Sequence, residues 1–323
     1  SKYPISGAAM DDRVVVIAGG LSPERVGSLR SGRRVAEDLK NAGFDAQVKD
    51  IDANLLADLL ADPPTCAFPL VHGVAGEDGS LQEVLQAINV PFVGSDAHSC
   101  RRSFDKAIAG SLVAAAGISV PNSIALPQAM FRDLGAGGLL EAITEKIGLP
   151  LIIKPNRGGS ALGVTVVRDA AELPAAMVGA FAYGEVVLIQ RYITGTEIAI
   201  GVFDTGEGPT ALPATEIVPD SGLYDYTARY TAGTTEFFTP ARLPDNVLEA
   251  AAETAVTAHR VLGLRDWSRS DLVVDADSRV WFLEVNVAPG MTETSLYPQE
   301  VSASEVTIGE LLAGLVKRAV ARA

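Results

Sequence analysis

The sequence predicts an α/β protein with a parallel open sheet at its N-terminal end and α+β character in its C-terminal parts. One observation is the segment 13–20, RVVVIAGG, because a β-branched run that ends in two glycines is typical of a buried parallel strand breaking into a loop. A second is the order that follows, strand, helix, strand, helix, strand, which indicates a parallel sheet. A third is the C-terminal third of the chain, where strands and helices alternate differently.

The N-terminal elements follow from hydrophobic spacing and from the residues at their ends. Apolar residues recur at helical spacing up to Ala42, and Gly43 follows as a stop. Ligands of such a sheet lie beyond the carboxyl ends of its strands, where we find the dipeptides at 19–20 and 72–73. In chain order we predict a strand at 13–20, a helix at 28–42, a strand at 44–51, a helix at 55–60, a strand at 67–71, a helix at 80–88 and a short strand at 91–93.

The rest of the chain divides into two further units. We place boundaries to give an N-terminal domain at 1–103, a central domain at 104–190 and a C-terminal domain at 191–323. We predict helices at 105–117, 247–262 and 308–320, strands at 149–154, 164–167, 185–191, 197–203, 270–275 and 280–285, a glycine-rich hairpin at 155–163 and a long polar loop at 219–239.

Composition excludes several classes of protein. The chain has 323 residues, a net charge of −14 and a hydrophobic fraction of 48%, which is too apolar for a disordered chain. The acidic excess argues against nucleic-acid binding and against an anionic membrane surface. Two cysteines in no metal-type spacing exclude a disulfide framework and a Cys-based zinc site. With no transmembrane run and no secretory signal in residues 1–12, we expect a cytoplasmic protein.

The glycine-rich hairpin is a candidate anion site. Its segment 155–163 reads PNRGGSALG and follows Lys154 at a strand end. Glycine backbone can approach a ligand closely, and successive amide groups form an anion-binding nest. The segment does not fit the Walker A pattern, and a plain β-hairpin with a glycine turn is the alternative.

Oxygen ligands cluster on two predicted neighbouring strands. Asp271 lies on one, Glu284 and Asn286 lie two apart on the other, and Arg269 shares the face of Asp271. Three oxygen ligands without sulfur or imidazole suit Mg²⁺ held jointly with phosphate oxygens. A solvated polar hairpin is the alternative, but these strands are apolar, and an unpartnered carboxylate within them costs free energy.

Three further features allow a structural or a functional interpretation. Ser22 follows the first strand, where it suits a helix N-cap as well as a ligand contact. A lone histidine is more often structural than catalytic, but His72 stands at a strand's carboxyl end, which makes it a better candidate for a functional role than most. The turn at 289–292, PGMT, lies beside the proposed metal ligands and is either a plain turn or a close approach to substrate.

These features together resemble the D-alanine–D-alanine ligases, a family with the ATP-grasp fold. The motifs occur in the family's order along nearly the whole chain: GGLSPERVGSLRSG, LVHGVAGEDGSLQ, FDK, KPNRGGSALG, YDYTARY, SRSDL and LEVNVAPGMTETSLYP. The resemblance implies a three-domain ATP-grasp fold and an ADP-forming ligase that joins two D-alanines for peptidoglycan. ATP would phosphorylate the carboxylate of the first D-amino acid, and the amine of the second would attack the acyl phosphate.

The resemblance also implies ligands and residue roles. The cofactors would be ATP and two Mg²⁺ ions, with Mn²⁺ as a substitute, and the family is usually dimeric. The metal ligands would be Asp271, Glu284 and Asn286. The nucleotide contacts would be Lys106, Lys154, Gln190, Arg191, Ile193 and Glu197. Glu24 would bind the ammonium group of the first substrate and form a triad with Ser160 and Tyr230. Arg269 and the Gly290 amide would stabilise the oxyanion. His72 would lie near the carboxylate of the first substrate, and Ser295 and Leu296 would hold the second substrate.

Departures from the family pattern leave alternatives open. Gly27 stands where the family has an apolar side chain against the first substrate's methyl group, and Gln190-Arg191 replace the usual Glu-Lys of the adenine hinge. A related dipeptide ligase of specialised metabolism with a different first amino acid is therefore the second hypothesis. A non-catalytic nucleotide-binding protein is the third, and a dehydrogenase is disfavoured because no GxGxxG follows the first strand.

Overall fold

A computed structural model describes residues 12–158, 161–220 and 234–323. The N-terminal part is a parallel three-stranded sheet of order β2-β1-β3 with helices packed on it, as predicted. Its elements are β1 (Arg13–Ala18), α1 (Arg25–Asn41), β2 (Asp45–Asp50), α2 (Leu55–Ala61), β3 (Cys66–Pro69), α3 (Val74–Glu77), α4 (Ser80–Ala87) and α5 (Ala97–Phe104).

The central part is a four-stranded antiparallel sheet of order β4-β7-β5-β6. Its odd-numbered face, with Leu151, Ile153, Val187 and Ile189, packs on helices in one apolar cluster, and the opposite face is left for a ligand. Its elements are α6 (Lys106–Ala115), β4 (Ser123–Pro127), α7 (Gln128–Leu134), α8 (Ala136–Ile147), β5 (Leu151–Pro155), β6 (Thr165–Val167), α9 (Leu173–Phe181) and β7 (Val186–Arg191).

The C-terminal part is built on a larger antiparallel sheet of order β11-β10-β8-β12-β13, with β9 paired to β8. Its elements are β8 (Thr196–Phe203), β9 (Thr210–Ala211), β10 (Thr215–Pro219), β11 (Thr235–Phe238), α10 (Asp245–Val261), β12 (Trp267–Val274), β13 (Val280–Asn286), α11 (Leu296–Ser302) and α12 (Ile308–Ala321).

The three parts share their cores across the predicted domain boundaries. Leu311 and Leu315 of α12 join the cluster formed by β1 and α1, so the last helix packs on the N-terminal sheet. Trp267 bridges the same junction, with ring centroids 5.4 Å from Phe68 and 5.3 Å from Tyr297. Burying an aromatic side chain of this kind contributes about 2–3 kcal/mol. The boundaries at 103 and 190 stay predictions.

The structure excludes one of the two interpretations of Ser22, and one loop prediction was wrong. Helix α1 begins at Arg25, its N-cap position is Glu24, and no side chain caps it. Ser22 instead accepts a hydrogen bond from the Glu24 amide (3.2 Å) and donates one to the His72 carbonyl (3.4 Å), so it ties two loops together. The polar loop predicted at 219–239 is shorter, because β11 occupies Thr235–Phe238 and pairs with β10. None of the described helices combines the length and the hydrophobicity that a membrane span requires.

Candidate active site

A cleft that opens to solvent lies between the central sheet and the C-terminal sheet. The cleft brings together seven of the residues that the sequence singled out: Lys106, Lys154, Glu197, Arg269, Asp271, Glu284 and Leu296. Apolar side chains such as Ile152 and Leu283 line the remainder, so the cleft is an apolar slot with a charged end.

The charged end is set by strand register. Asp271 of β12 pairs directly with Glu284 of β13, and Arg269 pairs with Asn286. Directly opposed residues in an antiparallel pair share a face, about 5 Å apart at Cβ. The ladder shifts between Asp271 and Leu272, and such an irregularity bends a strand and changes where its side chains point. The predicted ligand set is thus on one face of one hairpin.

Each carboxylate of this hairpin faces a basic group. Arg269 donates from Nε to Asp271 Oδ1 at 2.9 Å and from Nη2 to Oδ2 at 3.2 Å, and Lys106 Nζ lies 3.4 Å from Glu284 Oε2. Among the described residues, no group of three His, Cys, Asp or Glu side chains is placed to hold a metal. Two carboxylates and the Asn286 amide nevertheless fit the hard-oxygen donor set of Mg²⁺, which completes its shell with water and phosphate oxygens.

Two lysines approach the cleft from its other side. Lys106 begins α6, where Asp105 caps the helix, and its Nζ donates to the Gly158 carbonyl at 2.7 Å. Lys154 lies in β5 with 7% of its surface exposed. Burial lowers the pKa of Lys154, and the negative charge of Glu284 opposes that change. A buried cation of this kind is suited to an anionic ligand that replaces its lost hydration.

The predicted adenine hinge is only partly assembled at the cleft. Gln190 pairs with Ile152 in the ladder of β7 and β5, so it shares the face of that cleft residue. Gln190 is buried, and its Oε1 atom has no hydrogen-bond partner among the residues that the structure describes. Arg191 turns toward Gly148, and Ile193 is half-buried in the connection from β7 to β8.

Loops from the N-terminal sheet contribute a second group. Glu24 is buried, and a Cβ added to Gly73 would lie 3.4 Å from its Oε2 atom. His72 is half-buried beside it. Burial lowers the pKa of His72 to about 4, and the positive charge of Arg269 adds to the effect. At neutral pH the imidazole is therefore uncharged, and it can donate or accept a hydrogen bond without a net charge.

Glu77 is a residue of this group that the sequence prediction left without a role. It is buried and accepts a hydrogen bond from the Gly73 amide at 2.6 Å. Burial and, secondly, the negative charge of the nearby Glu24 carboxylate raise the pKa of Glu77 to about 8. Its place four residues after Gly73, in a one-turn helix, is the local signal that could have identified it.

The loop from β13 to α11 carries the predicted residues Gly290 and Ser295. A Cβ at Gly290 would lie 2.9 Å from Ser295 Oγ, so only glycine lets that hydroxyl lie across the backbone. Ser295 also accepts from the Thr292 amide at 3.0 Å. The Met291 amide donates to Ser31 Oγ of α1 at 2.9 Å and ties this loop to the N-terminal part. Ser160 and Tyr230, two members of the predicted triad, lie outside the described residues.

Comparisons with known proteins identify the family of the chain. A family model described as D-ala D-ala ligase C-terminus matches residues 112–317. A D-alanine–D-alanine ligase from Anaeromyxobacter sp. strain K is 40% identical over 287 residues, which cover 89% of this chain and 90% of that protein. One from Bordetella petrii is 37% identical over 310 residues, covering 96% and 93%.

Solved structures give the same result for the fold. VanG D-Ala:D-Ser ligase from Enterococcus faecalis superposes with a TM-score of 0.83 at 29% identity, over 96% of this chain and 99% of that one. The D-alanine–D-alanine ligase from Coxiella burnetii gives a TM-score of 0.82 at 24% identity, over 97% and 95%. The predicted ATP-grasp fold is confirmed, and the chain belongs to the D-alanine–D-alanine ligase family.

Proposed function

We propose that this protein joins two D-alanines in an ATP-dependent, ADP-forming reaction through an acyl phosphate. The observation that carries the proposal is the charged end of the cleft, where Lys106 and Lys154 face the Asp271–Glu284 pair. Phosphoryl transfer requires little covalent work from a protein but much positioning and neutralisation of charge. An apolar slot that ends in cations and oxygen ligands meets that requirement.

The residues of the chain would act in sequence on the two substrates. Lys106 and Lys154 would bind the phosphates while the first carboxylate attacks the γ-phosphorus and ADP leaves. The amine of the second D-alanine would then attack the acyl carbon, and Arg269 with the Gly290 amide would stabilise the oxyanion until phosphate leaves. Glu24 would hold the first ammonium, with Ser160 and Tyr230 as its proposed partners.

The same geometry supports a metal requirement. Asp271, Glu284 and Asn286 would hold Mg²⁺, and we propose two ions. A divalent cation there supplies charge neutralisation of the phosphate oxygens. The nucleotide base would lie toward Ile152, with Gln190 on the same face and Arg191 and Ile193 in the hinge. We place the reaction in the cytoplasmic supply of peptidoglycan precursors, and the homodimer stays a prediction.

Phosphate release in the presence of ATP, Mg²⁺ and D-alanine tests the proposal directly. We expect ADP, phosphate and D-alanyl-D-alanine in equal amounts, with the dipeptide identified by mass and by comparison with a standard. L-alanine is the control. If the protein releases no phosphate with D-alanine while another amino acid is turned over, the assignment of D-alanine is wrong.

A ligase with a larger first amino acid is the second candidate, and Gly27 favours it. A Cβ built on Gly27 meets no atom within 4 Å, so the space beside the first turn of α1 is open. A panel of D-amino acids, each paired with D-alanine as the second substrate, separates the two candidates. A bulkier donor that is used more efficiently than D-alanine would favour the second. D-serine belongs in the acceptor panel because one structural neighbour is named for it.

A further inference from the structure

Glu300 is a fully buried acid that the proposed reaction does not use. It lies in α11 with 0% of its surface exposed. Its Oε1 atom accepts a hydrogen bond from the Gly201 amide at 2.6 Å, and its Oε2 atom accepts one from the Thr215 hydroxyl at 2.9 Å. Thr215 Oγ1 also lies 2.9 Å from Thr239 Oγ1. One carboxyl group therefore joins α11 to β8, to β10 and to the residue that follows β11.

Glu300 lies on the same face of α11 as Leu296, which comes one helical turn earlier. Residues four apart lie on the same face of a helix. Leu296 packs with Ala199 of β8 and Ile217 of β10, while Glu300 bonds to Gly201 and Thr215. Gly201 follows Ala199 by two residues in β8, and Thr215 precedes Ile217 by two residues in β10. Because the two strands are antiparallel, both steps run in the same spatial direction. Helix α11 thus runs along the two strands in a fixed register.

The same register reaches the charged end of the cleft. Ala199 pairs with Asp271 and Gly201 pairs with Arg269, so Leu296 lies over the row of Asp271 and Glu300 over the row of Arg269. Burial raises the pKa of Glu300 to about 8, and the positive charge of Arg269 opposes that rise, which agrees with their common row. The carboxyl group lies beneath the wall that carries Leu296.

Packing leaves α11 little room to shift. A Cβ at Gly201 would lie 2.7 Å from the ring of Tyr297, so helix and strand are in direct contact there. The Tyr297 hydroxyl donates to the Val202 carbonyl at 2.9 Å. Hydrogen bonds to a buried carboxyl group are lost at high cost when the partner groups remain buried. Glu300 therefore selects one placement of the helix against the sheet.

We propose that Glu300 is a positioning residue for the second amino acid, because it fixes α11 and thereby sets where Leu296 and Ser295 lie in the cleft. The proposal rests on the proposed function. The proposal predicts no change in the binding of the first amino acid, whose predicted contacts come from the loops of the N-terminal sheet. A change at Glu300 should therefore alter the affinity for the second amino acid and leave the affinity for the first unchanged.

The variant Glu300→Gln tests the proposal above pH 8, where the carboxyl group is ionised and a carboxamide of the same shape cannot replace its two accepting oxygens. We expect the KM of the second D-alanine to rise about tenfold, since small misplacements in a site reduce rates by one to two orders of magnitude. The KM of the first should stay within about twofold. Initial rates over a wide range of D-alanine concentration separate the two constants. We also expect more phosphate than dipeptide, because water hydrolyses the acyl phosphate when the second amino acid is misplaced.

Glu216→Gln is the matched control. Glu216 is the neighbour of Thr215 in β10, is also buried, and bonds to Arg242 Nε at 3.0 Å on the opposite face of the strand. We expect it to change stability without separating the two KM values. Thr215→Val removes only one of the bonds to Glu300 and should give a smaller change in the same direction, so it replaces Glu300→Gln if that variant does not fold.

The outcomes are distinct. A folded Glu300→Gln protein with both KM values and the phosphate-to-dipeptide ratio unchanged would overturn the positioning role, as would an equal rise in both KM values. A wild-type protein without D-alanine turnover would instead overturn the proposed function. In that case the same variants are compared on whichever amino-acid pair the wild type uses.

Discussion

Two sides of the candidate site are built in different ways. The strand wall is the β12–β13 hairpin with Arg269, Asp271, Glu284 and Asn286, whose side chains are fixed by an antiparallel ladder. The loop wall consists of residues 22–27 and 72–77, which are the loops after β1 and β3 together with the first turns of the helices that follow them. A ladder sets the spacing of side chains through several backbone hydrogen bonds at once. A loop depends on individual bonds.

The loop wall is held by side chains that bond to the backbone. Ser28 Oγ accepts from the Gly19 amide at 2.8 Å and donates to the Leu70 carbonyl at 2.7 Å, which joins the ends of β1 and β3. Gly73 adopts a φ of +87°, a conformation that glycine reaches without steric cost. The comparison teaches that the proposed metal ligands are held by a strand ladder, whereas the groups that we expect to choose the first amino acid are held by individual side-chain bonds to the backbone.

The strand wall should be the more sensitive, and Asp271→Asn tests this. The substitution removes a negative charge from the pair with Glu284 and weakens the ion pair with Arg269 (2.9 Å). We expect kcat to fall by about 10²–10³, as for loss of one preorganised electrostatic group, and the Mg²⁺ concentration for half-maximal rate to rise. Phosphate release measured against Mg²⁺ concentration gives both quantities.

Asp277→Asn is the control for that experiment. Asp277 is exposed in the turn of the same hairpin, so it changes the net charge equally without touching the cleft. We expect wild-type kinetics from it. If Asp271→Asn leaves the Mg²⁺ response unchanged, the assignment of Asp271 as a metal ligand is wrong. If both variants have the same effect, the effect comes from the change in net charge and not from a lost metal ligand.

A substitution in the loop wall should change the selectivity for the first amino acid and leave the rate of the reaction with D-alanine unchanged. Gly27→Val tests this. The added side chain enters space that no atom occupies within 4 Å of its Cβ. We expect discrimination in favour of D-alanine over bulkier first amino acids to increase about tenfold, the usual scale for one or two methyl groups in a pocket. The measurement is kcat/KM for each donor.

Gly137→Val controls for the general effect of a glycine replacement in a helix. Gly137 lies in α8, remote from the loop wall in the chain, and a Cβ there also meets nothing within 4 Å. It should leave selectivity unchanged. If Gly27→Val and Gly137→Val give the same donor preferences, Gly27 does not line the first subsite.

Sequence patterns predicted the strand wall better than the loop wall, and the reason is physical. A spacing of two along a strand fixes a common face, so residue spacing grouped Glu284 with Asn286, and the predicted pairing of the two strands added Asp271. Ser22 was open to two interpretations because a hydroxyl after a strand can bond to several backbone groups.

The two buried acids differ in how far their contacts could be predicted. Glu300 bonds to Gly201, 99 positions earlier, and no local pattern encodes a contact of that kind. Tertiary packing decides which polar group this acid meets. Glu77 bonds to Gly73, four residues earlier, across a one-turn helix, so its contact is local and its spacing was a usable signal.

The smallest predicted effect concerns His259, a buried histidine that contacts β12 of the strand wall. His259 of α10 is 1% exposed, and its Nδ1 atom lies 2.7 Å from the hydroxyl of Ser268, the neighbour of Arg269 in β12. Burial lowers the pKa of His259 to about 4 from its ordinary value of 6.5. Below pH 6.5 the unfolded chain therefore binds a proton that the folded chain refuses until about pH 4, so stability falls as the pH falls through this window.

The substitution His259→Asn removes this titration and keeps a polar atom for Ser268. Wild type should lose about 1 kcal/mol more unfolding free energy than the variant between about pH 7 and about pH 5.5, from the proton linkage of one such group. Urea denaturation at the two pH values measures the difference. His72, whose pKa is lowered to a similar value, is present in both proteins, so its contribution cancels. Parallel losses in the two proteins would mean that His259 titrates normally, and that the packing behind β12 admits a charged imidazole.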